Sequence, residues 1–323
     1  MRKKVIIGIA LTSVALAIAV GFTNIAVGQN LQQPQPVPIS NDTEKVRVIA
    51  SFFPLYDFAR NVGADRADVS VMVPIGIEPH DWEPTPRDVA NAQSADMIVI
   101  NGAGFERWVA DIGGKLVIDT SRNISMMTGE EGRENEEEGI GEVHEGSSFD
   151  PHIWLDPVLA KKQVEAIRDG FVQIDSANSD YYNQNAQRYI AELDSLDSFI
   201  RSELSNCTLH DFIAFHNAFS YFANRYNLTQ HSIQGISPEG DVLPQRIQEI
   251  KELAARLGIN IIYAEELVDP RLADVIAGEI PNGQVLVLSP IEGLKGEELE
   301  QGLGYIDKMR ENVQNLKVGL KCQ

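Results

Sequence analysis

Three histidines of this chain lie in settings where an imidazole could bind a metal ion. His80 lies in "EPHDWEP" and His152 in "DPHIWLDP", so each follows a proline, precedes a tryptophan by two positions and has carboxylates close by. His216 lies in "FIAFHNAF", at the end of an apolar stretch. A metal-bound histidine usually donates its other ring N–H to a carboxylate or a carbonyl, and the acidic neighbours of His80 and His152 could accept that bond.

Neutral imidazoles favour zinc, which prefers four ligands at about 2.0–2.1 Å from nitrogen. A single histidine of this kind is more often a hydrogen-bonded loop residue, and it is the shared surroundings that favour a metal. Because an imidazole must lose its proton to bind, zinc affinity should fall as the pH drops toward about 6. Among the remaining histidines, His210 and His231 are predicted to be surface residues, and His144 lies in a glutamate-rich segment.

The elements that would position these histidines alternate between strands and helices. "VRVIASFF", "ADVSVMVP" and "DMIVING" are typical of strands, and "PLYDFARNVG" and "TPRDVANAQSA" of the helices between them. Such alternation predicts an α/β fold with a parallel sheet covered by helices on both faces. Ligands bind beyond the carboxyl ends of the strands in such a sheet, and His80 follows the end of "VSVMVP".

The alternation occurs twice, which predicts two α/β lobes with a ligand cleft between them. The N-terminal lobe is assigned to residues 46–175 and the C-terminal lobe to residues 205–323. Between them, residues 176–204 carry apolar residues at spacings of three and four, which predicts one long amphipathic helix. A final helix is predicted from about Glu297 to Leu316.

The chain begins with a basic cluster followed by an apolar run, which is typical of an export signal or an N-terminal membrane anchor over residues 1–28. Residues 29–45 are polar and contain prolines, as expected of a tether. Residues 128–148 are rich in glutamate and glycine and are predicted to form a mobile acidic loop. The two cysteines, Cys207 and Cys322, could form a disulfide outside the cell or remain two separate thiols.

The composition narrows the function classes. Hydrophobic residues make up 43% of the chain and charged residues 23%, as in globular proteins. The formal net charge is −20, which argues against a nucleic acid or an anionic membrane surface as the partner and is compatible with a cation as the ligand.

From about Val46 to Lys321 the chain resembles the zinc and manganese solute-binding proteins of ABC transporters, of the cluster-9 or high-affinity zinc uptake type. The stretches that carry the resemblance include "VPIGIEPHDWEPTPRDV", "FDPHIWLDP", "FHNAFSYFANRYNL", "IIYAEE" and "VLVLSPIEG". The resemblance implies two Rossmann-like lobes with parallel sheets, joined by one long rigid helix, and a metal site in the cleft between the lobes.

The resemblance also implies that His80, His152 and His216 bind the metal, with zinc favoured and manganese the second candidate. Relatives commonly have an aspartate where this chain has Ser289, so the fourth ligand stays open. Water is the favoured candidate, and the others are Glu265, Glu292 and the Ser289 hydroxyl itself. If water fills the fourth place, Ser289→Asp should tighten zinc binding.

The function implied is that of an extracytoplasmic receptor, monomeric and tethered or secreted, that captures a divalent cation and delivers it to an ABC permease. One alternative is a zinc-dependent hydrolase, because three histidines and an open position also describe a hydrolytic site. No catalytic motif with its own base, such as HExxH, accompanies the histidines. The other alternative is a cell-surface adhesin, as members of the resembled family have often been described.

Overall fold

Two parallel four-stranded sheets organise the part of the chain that the structure describes. This computed structural model describes residues 45–112, 116–129, 149–238 and 242–323. The strand orders are β2-β1-β3-β4 in the first sheet and β6-β5-β7-β8 in the second. The predicted α/β fold with two lobes is therefore confirmed.

The N-terminal lobe packs its helices on both faces of the first sheet. Its elements are β1 (Val46–Ala50), α1 (Phe53–Gly63), β2 (Ala67–Val71), α2 (Pro86–Ser94), β3 (Met97–Ile100), α3 (Val109–Ile112), β4 (Val117–Asp119) and α4 (Pro157–Ile174). Local chemistry explains where the helices begin. The Thr85 side chain accepts from the backbone of Asp88 while the Asp88 carboxylate accepts from the backbone of Thr85, and Pro86 fills the first helical position, where its missing N–H costs nothing.

One long helix, α5 (Ser179–Glu203), follows the first lobe. Its 25 residues rise about 1.5 Å each, which gives a length of roughly 37 Å. The predicted apolar positions, among them Tyr182, Tyr189 and Leu196, are buried. They belong to a hydrophobic core that also contains Val48 from the first sheet and Tyr263 from the second. The helix therefore shares one core with both sheets.

The C-terminal lobe repeats the arrangement. Its elements are β5 (Asp211–Ala214), α6 (Ser220–Tyr226), β6 (Thr229–Ser232), α7 (Pro244–Leu257), β7 (Ile261–Ala264), α8 (Arg271–Gly278), β8 (Gln284–Val287), α9 (Gly296–Glu300) and α10 (Tyr305–Gly319). Cys207 and Cys322 form a disulfide that joins the segment before β5 to the segment after α10.

Two features of this lobe differ from the prediction. The single final helix predicted from Glu297 to Leu316 is wrong, because α9 and α10 are separate helices. Gly302 lies between them with φ of +74°, a conformation that a continuous helix cannot contain. The second helix, α10, begins after Gly304, whose N–H donates to the Asp307 carboxylate. The edge strand β6 was missed, since its sequence "TQHS" is polar and lacks an apolar pattern.

Several sequence-based predictions concern residues outside the described ranges. These are the leader (residues 1–28), all but the last residue of the tether (residues 29–45) and most of the acidic loop with His144. Among the described residues, none of the helices combines the length and the apolar character that crossing a bilayer requires.

Candidate metal centre

Two of the three predicted histidines lie beyond the carboxyl end of a strand, and the third lies at the start of a short turn. His80 follows β2, His216 follows β5, and His152 immediately precedes a short 3-10 turn (Ile153–Leu155) that leads into α4. Glu292 follows β8 in the second sheet. Because all strands in each sheet are parallel, their carboxyl ends form one edge, and the two edges bring these four side chains together.

Four side-chain atoms converge at this point. The Nε2 atom of His152 lies 3.3 Å from Nε2 of His80 and 3.2 Å from Nε2 of His216. One carboxylate oxygen of Glu292, Oε1, lies 3.1, 3.3 and 3.6 Å from the Nε2 atoms of His80, His152 and His216. All four atoms lie within 4.8 Å of one another, so a single ion could contact all of them.

The spacing fits a tetrahedral zinc ion. Bonds of about 2.0–2.1 Å in a tetrahedron place the ligand atoms about 3.3–3.4 Å apart. The distances of 3.1–3.6 Å between these nitrogen and oxygen atoms scatter around that value. Without a metal ion, these buried nitrogen and oxygen atoms avoid facing lone pairs only if they share a proton. A bound cation could take the place of that proton and contact all four atoms.

Buried carboxylates orient two of the three rings. Asp150 Oδ1 accepts from Nδ1 of His152 at 2.8 Å, and Glu265 Oε1 accepts from Nδ1 of His216 at 2.6 Å. An Nδ1–H donor leaves Nε2 free to bind a metal. Asp150 belongs to the acidic residues that the sequence suggested for this role. Glu265, considered as a metal ligand, instead supports His216.

The pKa values show how strongly the groups interact. Burial lowers the pKa of His80, and the charge of Glu292 only partly opposes that effect. Burial also acts on His216, but the carboxylates of Glu265 and Glu292 outweigh it and raise the pKa of His216 well above its usual range. Burial would raise the pKa of Glu292, yet the histidines lower it well below its ordinary value. Glu292 is therefore an anion in this setting.

Glu292 is the residue that the sequence did not single out. Water was the favoured fourth ligand, with Glu292 as one of three protein alternatives, whereas the structure places the Glu292 carboxylate beside all three rings. Ser289 does not reach that position, because its hydroxyl oxygen accepts from the backbone N–H of Ile291 at 3.0 Å. The signal in the sequence was weak: a glutamate shortly after a strand of the second sheet, in "SPIEG".

Aromatic side chains line the site on the N-terminal side. The Phe105 ring contacts the His80 ring edge to face, with ring centres 4.9 Å apart. Trp154 lies 5.4 Å from Phe105 and 5.1 Å from the His152 ring. These apolar rings keep water away from the imidazoles, which strengthens electrostatic interactions at the site.

A buried polar network supports the segments that carry these aromatic side chains. Glu106 accepts from the Ser51 hydroxyl at 2.6 Å and from the backbone N–H groups of Asn101 and Gly102 at 2.7 and 3.0 Å. Asn101 donates to the carbonyl of Pro151, the residue before His152. The sequence did not predict this network, because Ser51 lies 55 positions from Glu106 and Pro151 lies 50 positions from Asn101. Ser51 and Asn101 become neighbours only where β1 and β3 end.

His80 is the group closest to solvent. Its side chain is 9% exposed, whereas those of His152 and His216 are fully buried. A surface cavity of about 340 Å³ adjoins it, lined among others by Asp81, Trp82 and Glu83. The side chains of His152 and His216 have no contact with solvent.

Comparison with known proteins identifies the family. A family profile described as the periplasmic component A of the zinc-uptake complex, ZnuA, matches residues 48–319. The chain belongs to this family. The high-affinity zinc uptake system protein ZnuA of Bacillus subtilis (strain 168) is 38% identical, over 86% of this chain and 88% of that protein.

Solved structures agree with the family assignment. The Zn(II)-bound ZnuA-like domain of Streptococcus pneumoniae AdcA superposes with a TM-score of 0.72 at 32% identity, over 85% of this chain and 99% of that one. The laminin-binding protein Lmb of Streptococcus agalactiae, described as a bifunctional protein with adhesin and metal-transporting activity, superposes with a TM-score of 0.75 at 28% identity, over 86% of this chain and all of that one. Both likenesses extend over the two lobes.

Proposed function

We propose that this chain is the extracytoplasmic receptor of an ABC transporter, which captures zinc and delivers it to a membrane permease. The observation that carries the proposal is the convergence of three imidazole nitrogens and one carboxylate oxygen at the spacing of a tetrahedral zinc ion. Membership of the zinc-uptake family supports it independently.

The proposed ligands are His80, His152, His216 and Glu292. Zinc is favoured over manganese because three neutral imidazoles suit zinc, whereas manganese prefers oxygen ligands. Zinc is also usually bound by four ligands in a tetrahedron, which the spacing of these four atoms fits, whereas manganese is typical of octahedral oxygen sites. The fixed Nδ1 partners of His152 and His216 would hold two of the ligands in place before the metal arrives.

Capture and release is the proposed task, not bond chemistry. A hydrolytic zinc site needs a position where water can bind and be activated. The Glu292 oxygen lies where that position would be, so we propose no enzymatic activity. An adhesive role is not part of the proposal, because the observation that carries the proposal concerns a metal ion alone.

The family and the sequence support a location outside the membrane and an ABC permease as the partner. The leader or anchor over residues 1–28 and the tether over residues 29–45 would hold the two lobes outside the membrane, near the permease. The lobes are proposed to span residues 46–175 and 205–323, on either side of the linking segment 176–204, and the receptor is expected to act as a monomer.

The decisive experiment measures metal binding directly. Protein purified without added metal should contain about one zinc per chain, and zinc should displace manganese in competition with a chromophoric chelator. Ser198→Ala on the exposed face of α5 is a suitable control and should bind like the parent protein. A preference for manganese, or equal zinc binding by the variant that lacks His152, His216 and Glu292, would contradict the proposal.

A further inference from the structure

The turn that carries Glu292 contains a strained residue. Ile291 has φ of +58°, and its side chain is fully buried. Positive φ is a rare and unfavourable conformation for a β-branched residue, and it persists only where the surrounding structure enforces it. Ile291 immediately precedes Glu292 in the chain, so this conformation sets the direction in which the Glu292 side chain leaves the backbone.

Hydrogen bonds hold the turn from both lobes. Asn312 on α10 accepts from the N–H of Ser289 at 2.8 Å and donates to the carbonyl of Ser289 at 2.6 Å. Trp154, from the N-terminal lobe, donates its indole N–H to the carbonyl of Pro290 at 2.7 Å. These contacts fix the two residues before Ile291.

The Ser289 side chain completes the turn. Its hydroxyl oxygen accepts from the N–H of Ile291 at 3.0 Å, and the residue is 1% exposed. No water could easily replace this acceptor, and a buried N–H without a partner costs free energy. The hydroxyl therefore supports the backbone at the strained residue itself.

We propose that Ser289 is a positioning residue for zinc binding, which aims Glu292 by holding Ile291 in its strained conformation. The inference rests on the proposed role of Glu292 as the fourth ligand. It gives Ser289 a function that differs from direct coordination. Without the hydroxyl, Ile291 can relax toward negative φ, and the Glu292 oxygen then turns away from the three imidazoles.

A double-mutant cycle tests the proposal, because two residues that act through one interaction have non-additive effects. Ser289→Ala should weaken zinc binding about tenfold, as expected when a residue that orients a ligand is lost. In a Glu292→Ala background, the same substitution should change zinc affinity by less than about twofold. Ser289→Thr or Ser289→Asn should restore most of the affinity, since each keeps an oxygen that can accept from the Ile291 N–H.

A spectroscopic measurement separates positioning from general damage to the fold. Cobalt bound in place of zinc should show an altered visible absorption spectrum in Ser289→Ala, and a parent-like spectrum in the rescued variant. Thermal unfolding of each zinc-free variant reports on fold stability, and Ser198→Ala controls for an exposed serine on α5.

The outcomes distinguish this inference from the ligand assignment on which it rests. If Glu292→Ala leaves zinc affinity unchanged, Glu292 is not a ligand and the proposed set of four is wrong. If Glu292→Ala weakens binding but Ser289→Ala does not, or if Ser289→Ala costs the same in both backgrounds, the ligand set stands and the positioning role is overturned.

Discussion

His80 and Glu292 follow the edge strands β2 and β8 of their sheets, yet the two connections are held differently. The connection from β2 to α2 contains Ile75 and Ile77, which are 47% and 45% exposed, and the N–H of His80 donates to the nearby Glu78 carboxylate. The turn of Glu292 is buried and is fixed by Asn312, Trp154 and Ser289. Of these two proposed ligands, His80 borders a surface cavity, whereas Glu292 is built into the core.

From this difference we expect the site to be largely formed before zinc binds. His152, His216 and Glu292 are oriented by buried partners, so zinc has little ordering cost to overcome there. His80 borders a surface cavity, so among the proposed ligands it is the one whose place we expect water to take most easily. Substitutions in the buried part should therefore cost more zinc affinity than substitutions at His80.

The largest expected effect is on the stability of the fold, and it comes from removing the disulfide, which should leave zinc binding almost unchanged. The Cys207–Cys322 disulfide closes a loop with a sequence separation of 115 residues, which on the chain-entropy view stabilises the fold by about 4–5 kcal/mol. It lies at the end of β5 opposite to His216. Replacing both cysteines by alanine should lower the free energy of unfolding of the zinc-free protein by about that amount, measured by denaturant titration. Zinc affinity at a temperature where the variant is folded should change by less than about twofold, and a larger loss would mean that the core does not hold the ligands independently of the bridge.

Because Glu106 is buried in the polar network beside the site, we expect the stability of the fold to depend on pH. Burial raises the pKa of Glu106 to about 7, from an ordinary value of 4.5. Between these two values the folded protein keeps a proton that the unfolded chain has lost, so the free energy of unfolding should fall as the pH rises from about 4.5 to 7. The contribution of this one group is about 3 kcal/mol over that range.

Comparing the parent with Glu106→Gln isolates this contribution. The variant cannot titrate at position 106, so its free energy of unfolding should fall less steeply between pH 4.5 and 7, measured by denaturant titration of zinc-free protein. Parallel curves for the two proteins would show that Glu106 is ionised in the folded state across this range.

Alanine substitutions of His216 and His80 compare the two kinds of ligand directly. His216→Ala should raise the zinc dissociation constant by at least about 100-fold, because it removes a ligand and leaves the buried Glu265 without its ring partner. His80→Ala should cost less, about tenfold to 100-fold, because water can enter from the adjoining cavity. Chelator competition measures both, and a larger loss for His80 would contradict the distinction between a preformed core and a peripheral ligand.

The smallest expected effect concerns the carboxylate behind His216. Glu265→Gln keeps an oxygen that can accept from Nδ1 but removes the charge, so zinc affinity should fall about tenfold. Isothermal titration calorimetry gives the affinity, and Asp150→Asn makes the matched change behind His152. Unchanged affinity in both variants would mean that the charges do not support the imidazoles.

The sequence predicted correctly those features that depend on neighbouring residues in the chain. It predicted the two-lobe α/β fold, because the alternation of strands and helices is a local pattern, and it selected the three histidines that the structure brings together. It failed at the break between α9 and α10, where glycines interrupt a helical pattern, and at β6, whose polar residues pair only because β5 lies beside them.

The sequence by itself determined which side chains could bind a cation and which strands they follow. Tertiary structure alone decided that the carboxylate of Glu292, and not Glu265 or Ser289, lies beside all three Nε2 atoms. The reason is geometric, because the three histidines are 76 to 212 positions away from Glu292 in the chain. The distance from the Glu292 carboxylate to their rings depends on how the two sheets pack around α5. It also depends on the turn at Glu292, whose backbone is held by both lobes. No local pattern encodes that distance.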